Sequence, residues 1–342
     1  MHRRSPLISV VIPVYNAAET LEPCLGALES QTLARGQYEV IVVDDGSADA
    51  TAEIARGHES VVLLSQPHKG AAAARNLGTS HARGTIVLFT DADCVPSPDW
   101  IEAMAAAFSD DEVTGVGGAI RTQQRGLVPR FIQLEFDDRY DKMAKHPSID
   151  FICTATGGFR RDVFLESRGF REDLLGAEDT ELSFRLASAG HKMVFVPQAI
   201  VYHSHPQSLL EYARRKCTYA YWRLMVYLGH PRKVIVDSRT PQTQKVQIGL
   251  LFLLAVAALG AIFWRGIIWL AGGLLALFLL MALPFWWKSV RRDRVVGAFL
   301  PLFLLVGTTS VAAGLAAGAV RYGIQRMIQR SGAGGQAASP DL

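Results

Sequence analysis

Two acids one residue apart, Asp91 and Asp93, follow directly on the apolar run Thr85–Phe89 (TIVLF). At a turn leaving a buried strand, such carboxylates can converge on one divalent ion. An oxygen-only donor set suits Mg2+ or Mn2+, which keep waters and take phosphate oxygens as remaining ligands. The ion would neutralise the diphosphate of a bound nucleotide and stabilise it as a leaving group. Two more polar clusters follow apolar runs in the same way: Tyr15-Asn16 after Leu7–Val14 (LISVVIPV), and Asp44-Asp45-Gly46-Ser47 after Tyr38–Val43 (YEVIVV). One strand-end Asp is as readily a helix N-cap, but three consecutive strand ends carrying acids and turn formers point to one convergent site. Glu178-Asp179 open a helical stretch to Ala189 that Gly190 stops; there the acids either complement the helix dipole or do chemistry. His203 and His205 (VYHSHP) follow an extended segment, Met193–Val196 or Ile200–Tyr202. Either one of them reaches the metal or diphosphate, or both face solvent.

The elements that would hold these residues alternate. Apolar, β-branched runs at 7–14, 38–43, 61–64 and 85–89 read as buried parallel strands, with helices between them. Asn16 and Glu19 have capping-box spacing for a helix through Leu28, an Ala-rich helix spans Ala71–Ala82, and Ser97-Pro98-Asp99 suits the start of a helix through Phe108. This rhythm predicts an α/β fold, a Rossmann-like sheet with helices on both faces and ligands beyond the carboxyl ends of the strands. No GxGxxG follows the first strand, which counts against a dinucleotide-binding dehydrogenase, and no GxxxxGK[ST] occurs, which removes a P-loop NTPase. Residues 121–149 are the hardest to read; within them Phe131–Tyr140 suits an amphipathic helix resting on a bilayer.

With 35 Lys+Arg against 32 Asp+Glu in 342 residues, the chain is no strongly basic nucleic-acid binder, and no nucleic-acid partner is expected. The 4 cysteines are scattered singly, without metal or disulfide spacing, which fits a reducing compartment. Charge-free runs at 248–264, 266–287 and 295–320 mark a membrane domain. The second would reach about 33 Å as a helix, enough for a hydrocarbon core of about 30 Å. Lys288, Arg291, Arg292 and Arg294 after the second run, and Arg214, Arg215, Lys216, Arg232, Lys233 and Lys245 before the first, place both flanks in the cytoplasm. The third run then conflicts with Arg321, Arg326 and Arg330 beyond it: it spans against the rule, or it re-enters or lies along the interface, the reading favoured here. Gly314 and Gly318 give it a small-xxx-small pair. Arg214, Arg215 and Lys216 suit either phosphate or anionic lipid. Met1–Pro6 is polar and Leu7–Val14 too brief for a signal h-region, so the N-terminal domain is expected to stay cytoplasmic. The expected organisation is a cytoplasmic domain over 1–235, a membrane domain over 236–330 in the cell (inner) membrane, and a disordered tail over 331–342.

Ser9–Asn16 (SVVIPVYN), Val43–Thr51 (VDDGSADAT), Lys69–Gly78 (KGAAAARNLG), Thr90–Cys94 (TDADC) and Gly176–Leu186 (GAEDTELSFRL) together resemble the family 2 glycosyltransferases of the GT-A fold, in the family's order and spacing over roughly residues 7–235. The resemblance implies a mixed, mostly parallel sheet, a nucleotide-sugar donor (a UDP-sugar) and a divalent metal. It places Pro13 and Tyr15 at the base, with Asp45 and Asp44 accepting hydrogen bonds from it. It implies Arg75 at the nucleotide or its phosphates, Asp91 at the ribose side and Asp93 on the metal. Gly157-Gly158-Phe159 would shape the donor and acceptor site, the glycines permitting close approach of sugar or phosphate. Asp179, beside Glu178, would be the general base of an inverting transfer to a membrane-held saccharide or lipid acceptor. Processive, cellulose-synthase-like relatives carry QxxRW where this chain has YARRKCTYAYWRL, so the resemblance favours a single sugar transfer. Two alternatives stay open: transfer to a polyprenyl phosphate, which needs no base, and a non-catalytic nucleotide-sugar sensor in the membrane.

Overall fold

The computed structural model describes residues 8–333, with side chains as far as Ile324. Leu7, the expected first residue of the first strand, and residues 334–342 of the expected disordered tail lie outside the described residues. The chain forms two compact units: residues up to Gln207 together with Ile235–Pro241, and Ser208–Val234 together with the chain from Gln242 onward. A single boundary at 235 does not describe this division, because seven residues after the helical segment 208–234 rejoin the first unit.

The first unit runs β1 (Ile8–Val14), α1 (Leu21–Glu29), β2 (Tyr38–Asp44), α2 (Thr51–Gly57), β3 (Val61–Ser65), α3 (Ala71–His81), β4 (Ile86–Phe89), β5 (Cys94–Pro96), α4 (Trp100–Ala106), β6 (Val113–Arg121), α5 (Leu127–Met143), β7 (Gly157–Arg160), α6 (Arg161–Glu166), α7 (Glu178–Ser188) and β8 (Lys192–His203). Its sheet has the order β3-β2-β1-β4-β7-β6-β8-β5. The β1, β2, β3 and β4 pairings are parallel, as is β6 with β8, while β7 runs antiparallel to both neighbours and β5 antiparallel to β8. The mixed, mostly parallel sheet is that of a GT-A fold.

Each central strand buries both faces, so its residues divide between two cores. Ile8, Val10, Ile12 and Val14 of β1 pack with Leu21, Leu25 and Leu28 of α1 and Trp100 and Met104 of α4. Val11 turns to the opposite face, with Val43 and Phe89, Ala74 of α3, and Leu182 and Leu186 of α7. Helix α3 lies so close to this face that a Cβ on Gly78 would overlap the side chain of Val11.

Several local expectations are corrected. Asn16 does not cap a helix: it adopts φ 48°, its amide oxygen accepts from the Ala48 N–H, and α1 starts only at Leu21. Helix α4 starts at Trp100, with Asp99 as the N-cap residue rather than Ser97. The two candidate strands near His203 are one, β8, bulged against β6 between Gly117 and Ala119. Helix α5 buries Phe131, Ile132 and Leu134, and the Tyr140 hydroxyl accepts from the Ile120 N–H, so its apolar side serves the domain rather than a bilayer.

The second unit consists of α8 (Leu209–Gly229), α9 (Pro231–Ile235, whose last residue belongs to the first unit), α10 (Gln242–Phe263), α11 (Ile267–Arg292) and α12 (Arg294–Ala333). Helices α10, α11 and residues 294–324 of α12 are long and apolar enough to cross a membrane. Helix α12 is unbroken, whereas a re-entrant segment would have to reverse direction. Gly314 and Gly318 bring α12 against α8: a Cβ on Gly314 would overlap the Cys217 carbonyl oxygen, and one on Gly318 would press on Leu224.

Candidate active site

Because β1, β2 and β4 are parallel, they leave the sheet at the same carboxyl end, with Val14 opposite Asp44 and Phe89 opposite Val11, and the chain leaving each delivers Tyr15, Asp45 and Asp91 there. Half-buried Pro13 lies opposite Val43 in the β1–β2 ladder. Asp44 is buried, and its carboxylate accepts the Ser47 N–H at 3.0 Å, closing the Asp-Asp-Gly-Ser turn.

Asp45 is only 2% exposed, and its oxygens are engaged within the protein. They accept from the Gln66 amide at 2.6 Å and from the N–H groups of Lys69 and Gly70 at 2.8 Å each, and they face His68 Nδ1 at 2.8 Å. Burial opposes the carboxylate, but these donors hold it below the usual carboxylate range. Asp45 therefore anchors the 66–70 loop and the start of α3, where Gly70 adopts φ 93°. The His68 ring stacks on Tyr15, with centroids 4.1 Å apart and planes 30° apart, and Tyr15 remains 49% exposed. His68 was not legible as a site residue; only its place in the Pro-His-Lys-Gly turn before α3 hinted at it.

One turn into α3 comes Arg75, 4% exposed. Its guanidinium donates to Asp91 Oδ1 and to Glu178 Oε1, each at 2.7 Å, and lies over the Phe170 ring. The expectation that Arg75 reaches a nucleotide phosphate is thus corrected: both carboxylates are already on it, and it fastens the end of β4 to the start of α7. Burial alone would lower its pKa, but Asp91 and Glu178 outweigh that and hold it above the usual value.

The second acid of each pair lies beyond this clamp. Asp93 faces His203 Nε2 at 3.2 Å, because β5 pairs with β8 at Cys94 opposite His203. His203 Nδ1 is buried without a hydrogen-bond partner among the described residues. Asp93 and His203 offer a carboxylate oxygen and an imidazole nitrogen, a donor set that fits a divalent cation. Cys94 lies in the same cluster, but burial and the charges of Asp91 and Asp93 push its thiol well above the usual value. His205 does not join them; it is buried, and its ring stacks on Phe136 at 5.3 Å.

Asp179 sits in the first turn of α7, which Ala177 enters through a left-handed φ of 63°. Its Oδ1 accepts the Thr180 N–H at 2.6 Å. Burial and the charge of Glu178 push its pKa up to about 6, against the opposing pull of Arg239 and Thr180. A carboxyl so placed is ionised at neutral pH and still basic enough to take a proton. A thiolate nucleophile is not on offer beside it, since burial raises Cys153 to about 12.

Gly157 and Gly158 are buried in β7, between β4 and β6. A Cβ would overlap Ile152 and the Cys153 carbonyl at Gly157, and Leu88 at Gly158. These glycines make room for the protein's own side chains and not for a ligand, which corrects that expectation.

Sheet order is that of a GT-A fold, and the strand-end acids with the clamp between them form its candidate site. Residues 9–167 match the domain described as glycosyl transferase family 2. The glycosyltransferase AglE of Haloferax volcanii is 34% identical over 207 residues, 58% of this chain and 67% of that protein. The pre-mycofactocin glycosyltransferase of Mycobacterium tuberculosis is 32% identical over 235 residues, 66% of this chain, which spans 48% of that protein. The chain belongs to the family 2 glycosyltransferases. Among solved structures, the mannosyltransferase PcManGT from Pyrobaculum calidifontis, in complex with GDP-Man and Mn2+, superposes with a TM-score of 0.62 at 22% identity, over 90% of this chain and 87% of that one. TarS 1-349 of S. aureus gives 0.50 at 19% identity, over 98% and 94%. At these identities the likeness is one of fold.

Proposed function

We propose that this protein transfers one sugar from a nucleotide-diphosphate donor, a UDP-sugar in the first instance, to the hydroxyl of a membrane-held saccharide or glycolipid, with inversion at the anomeric carbon. The observation that carries this reading is the Arg75 clamp, which fastens the Asp-Ala-Asp turn after β4 to the helix bearing Asp179. Asp179 removes the acceptor hydroxyl proton as that oxygen attacks the anomeric carbon. The bond to the diphosphate oxygen breaks on the opposite face, so an α-linked donor gives a β-glycoside. Asp93 and His203 would hold a divalent ion, Mg2+ or Mn2+, which when bound neutralises the departing diphosphate. Tyr15, stacked on His68, offers its exposed face to the base, while Asp45 and Asp44 keep the surrounding turns in place.

The same reading places the catalytic unit in the cytoplasm and α10 and α11 across the membrane, joined by the turn at Arg265. Helix α8 carries Glu211, Arg214, Arg215, Lys216 and Arg223, charges that suit the membrane interface rather than the hydrocarbon core, and this reading lays it along the interface. From Gly307 onward α12 follows α8: Gly307 meets Tyr212, Gly314 meets Cys217, Gly318 meets Leu224, and Arg321 donates to the Tyr221 hydroxyl. The second half of α12 therefore stays at the interface with α8, and Arg321 is not exported.

Purified protein in detergent would be screened against UDP-, GDP- and dTDP-sugars with Mg2+ or Mn2+, reading donor-induced thermal shift and nucleoside diphosphate release. A shift and metal-dependent release with one nucleotide class are expected. A shift without release, with acceptor extracts present, would mark a sensor, and unimpaired Asp179→Asn turnover on a polyprenyl phosphate would mark the base-free reaction. For topology, a C-terminal fluorescent-protein fusion should glow; an active C-terminal alkaline phosphatase fusion would instead show that α12 crosses.

A further inference from the structure

The stretch Ile235–Pro241 lies in sequence between helices of the second unit, yet it is built into the first. Its attachment is specific. Asp150 and Ser238 exchange buried hydrogen bonds: the Ser238 N–H and hydroxyl donate to Asp150 Oδ1 at 2.8 and 2.6 Å, and the Asp150 N–H donates to the Ser238 oxygen at 3.0 Å. Lys142 of α5 donates to the carbonyls of Asp237 and Thr240, each at 2.6 Å. Asp237 accepts the N–H groups of Arg239 and Thr240, which fixes the turn between them.

This latch delivers the Arg239 guanidinium onto the ring of Phe151, 3.8 Å from its centroid. The next residue is tied to α7: the Ile152 N–H donates to the Ser183 hydroxyl at 3.0 Å, and that hydroxyl donates to the Asp179 carbonyl at 2.6 Å. Three successive residues therefore join latch, guanidinium and α7. Asp150 holds the latch, Phe151 holds Arg239, and Ile152 holds the turn of α7 that starts at Asp179.

We infer that Arg239 is a positioning residue for the transfer, presented by the latch and the Phe151 ring so that its charge keeps the Asp179 carboxylate ionised. The inference rests on the reading of Asp179 as the base. The charged and titratable groups around Asp179 are Glu178 on its own helix, Arg75 from α3, Cys153 before β7 and Arg239 from the latch. Arg75 is committed to Asp91 and Glu178, Glu178 raises the Asp179 pKa, and Cys153 is neutral. Arg75 and Arg239 both oppose burial there, and Arg239 exerts the larger pull.

The test uses the full-length protein in detergent, with two neutral variants, Arg239→Met and Arg239→Gln, and the charge-retaining Arg239→Lys. One readout is the pH dependence of turnover. The other needs no turnover: carbodiimide labelling of the Asp179 carboxyl across pH, followed by peptide mass spectrometry. In both neutral variants the acid limb and the labelling midpoint should move up by about one pH unit, with donor KM unchanged. Arg239→Lys should keep the midpoint close to the native value, and Phe151→Leu, which removes the ring beneath the guanidinium, should move it up by less than the neutral variants do. An unmoved labelling midpoint in either neutral variant that folds overturns the role of Arg239. A moved midpoint together with full Asp179→Asn activity would leave that electrostatic role standing and overturn the base assignment instead.

Discussion

The molecule carries two pairs of acids, Asp91/Asp93 and Glu178/Asp179, and treats the members of each pair in opposite ways. Arg75 binds the first of each pair, at 2.7 Å to both, and so turns the half-buried Asp91 and Glu178 into the two halves of a clamp on a buried guanidinium. The second of each is directed elsewhere: Asp93, 49% exposed at its side chain, toward His203, and Asp179 to a place where burial and the Glu178 charge raise its pKa. One acid in each pair thus fixes the geometry, and the proposed mechanism gives the chemistry to the other. The fold needs the first kind to hold two distant segments together, since charge on a buried side chain is tolerated only when it is paired.

The largest effect expected from breaking this division is on turnover. Asp179→Asn should lower kcat by about 100- to 10,000-fold, the usual span for a positioned general base, with donor binding kept. Native activity should fall as pH drops through about 6, since the base must be ionised, and the variant's residual rate should lack that limb. Stability runs the other way. A carboxyl whose folded pKa lies above its unfolded one is most compatible with the fold when protonated, so its favourable contribution is lost as pH rises through about 6. Asp179→Asn should therefore melt higher than the native protein above that pH and alike well below it. Equal melting curves at pH 8 would refute the raised pKa.

Next in size is the clamp. Arg75→Met leaves two carboxylates facing each other without their shared cation, a change of the kind that costs about 3–5 kcal/mol, and should show as a large fall in Tm. Asp91→Asn should lower Tm by less, because Arg75 keeps Glu178. Asp93→Asn should leave Tm nearly unchanged and abolish the Mn2+-induced rise in Tm. If Asp91→Asn and Asp93→Asn behaved alike in both measurements, the division of labour between the two acids would be wrong.

How far this was legible in the sequence follows from the same residues. The strand ends could be read because the apolar runs before Tyr15, Asp44 and Asp91 are local signals, and the acids follow them directly. Arg75 could be found as a motif residue but not understood, since its partners lie 16 and 103 positions away and nothing local shows that both meet it. Gly157 and Gly158 misled for a related reason: glycine marks close approach, but only the sheet shows that the approaching groups are Leu88 and Ile152 rather than a ligand. Arg239 and His68 belonged to no motif and were invisible until the chain folded. The third apolar run was ambiguous because hydropathy reports what a helix tolerates, whereas the glycines that match α12 to α8 decide what it packs against.

The smallest effect expected is at the base shelf, where the comparison between fixed and available groups reappears within one edge of the sheet. Asp45 is enclosed by Gln66, His68 and the N–H groups of Lys69 and Gly70, while Tyr15 stacks on His68 with half its surface in solvent. Asp45 would then fix the platform and Tyr15 would meet the base. Stacking of a base on an aromatic ring is worth about 1–3 kcal/mol, so Tyr15→Ala should raise donor KM by about tenfold with kcat nearly unchanged. Tyr15→Phe, which keeps the ring and loses the hydroxyl, should behave as the native protein does. A tenfold loss in Tyr15→Phe as well would mean that the hydroxyl, and not the ring face, meets the nucleotide.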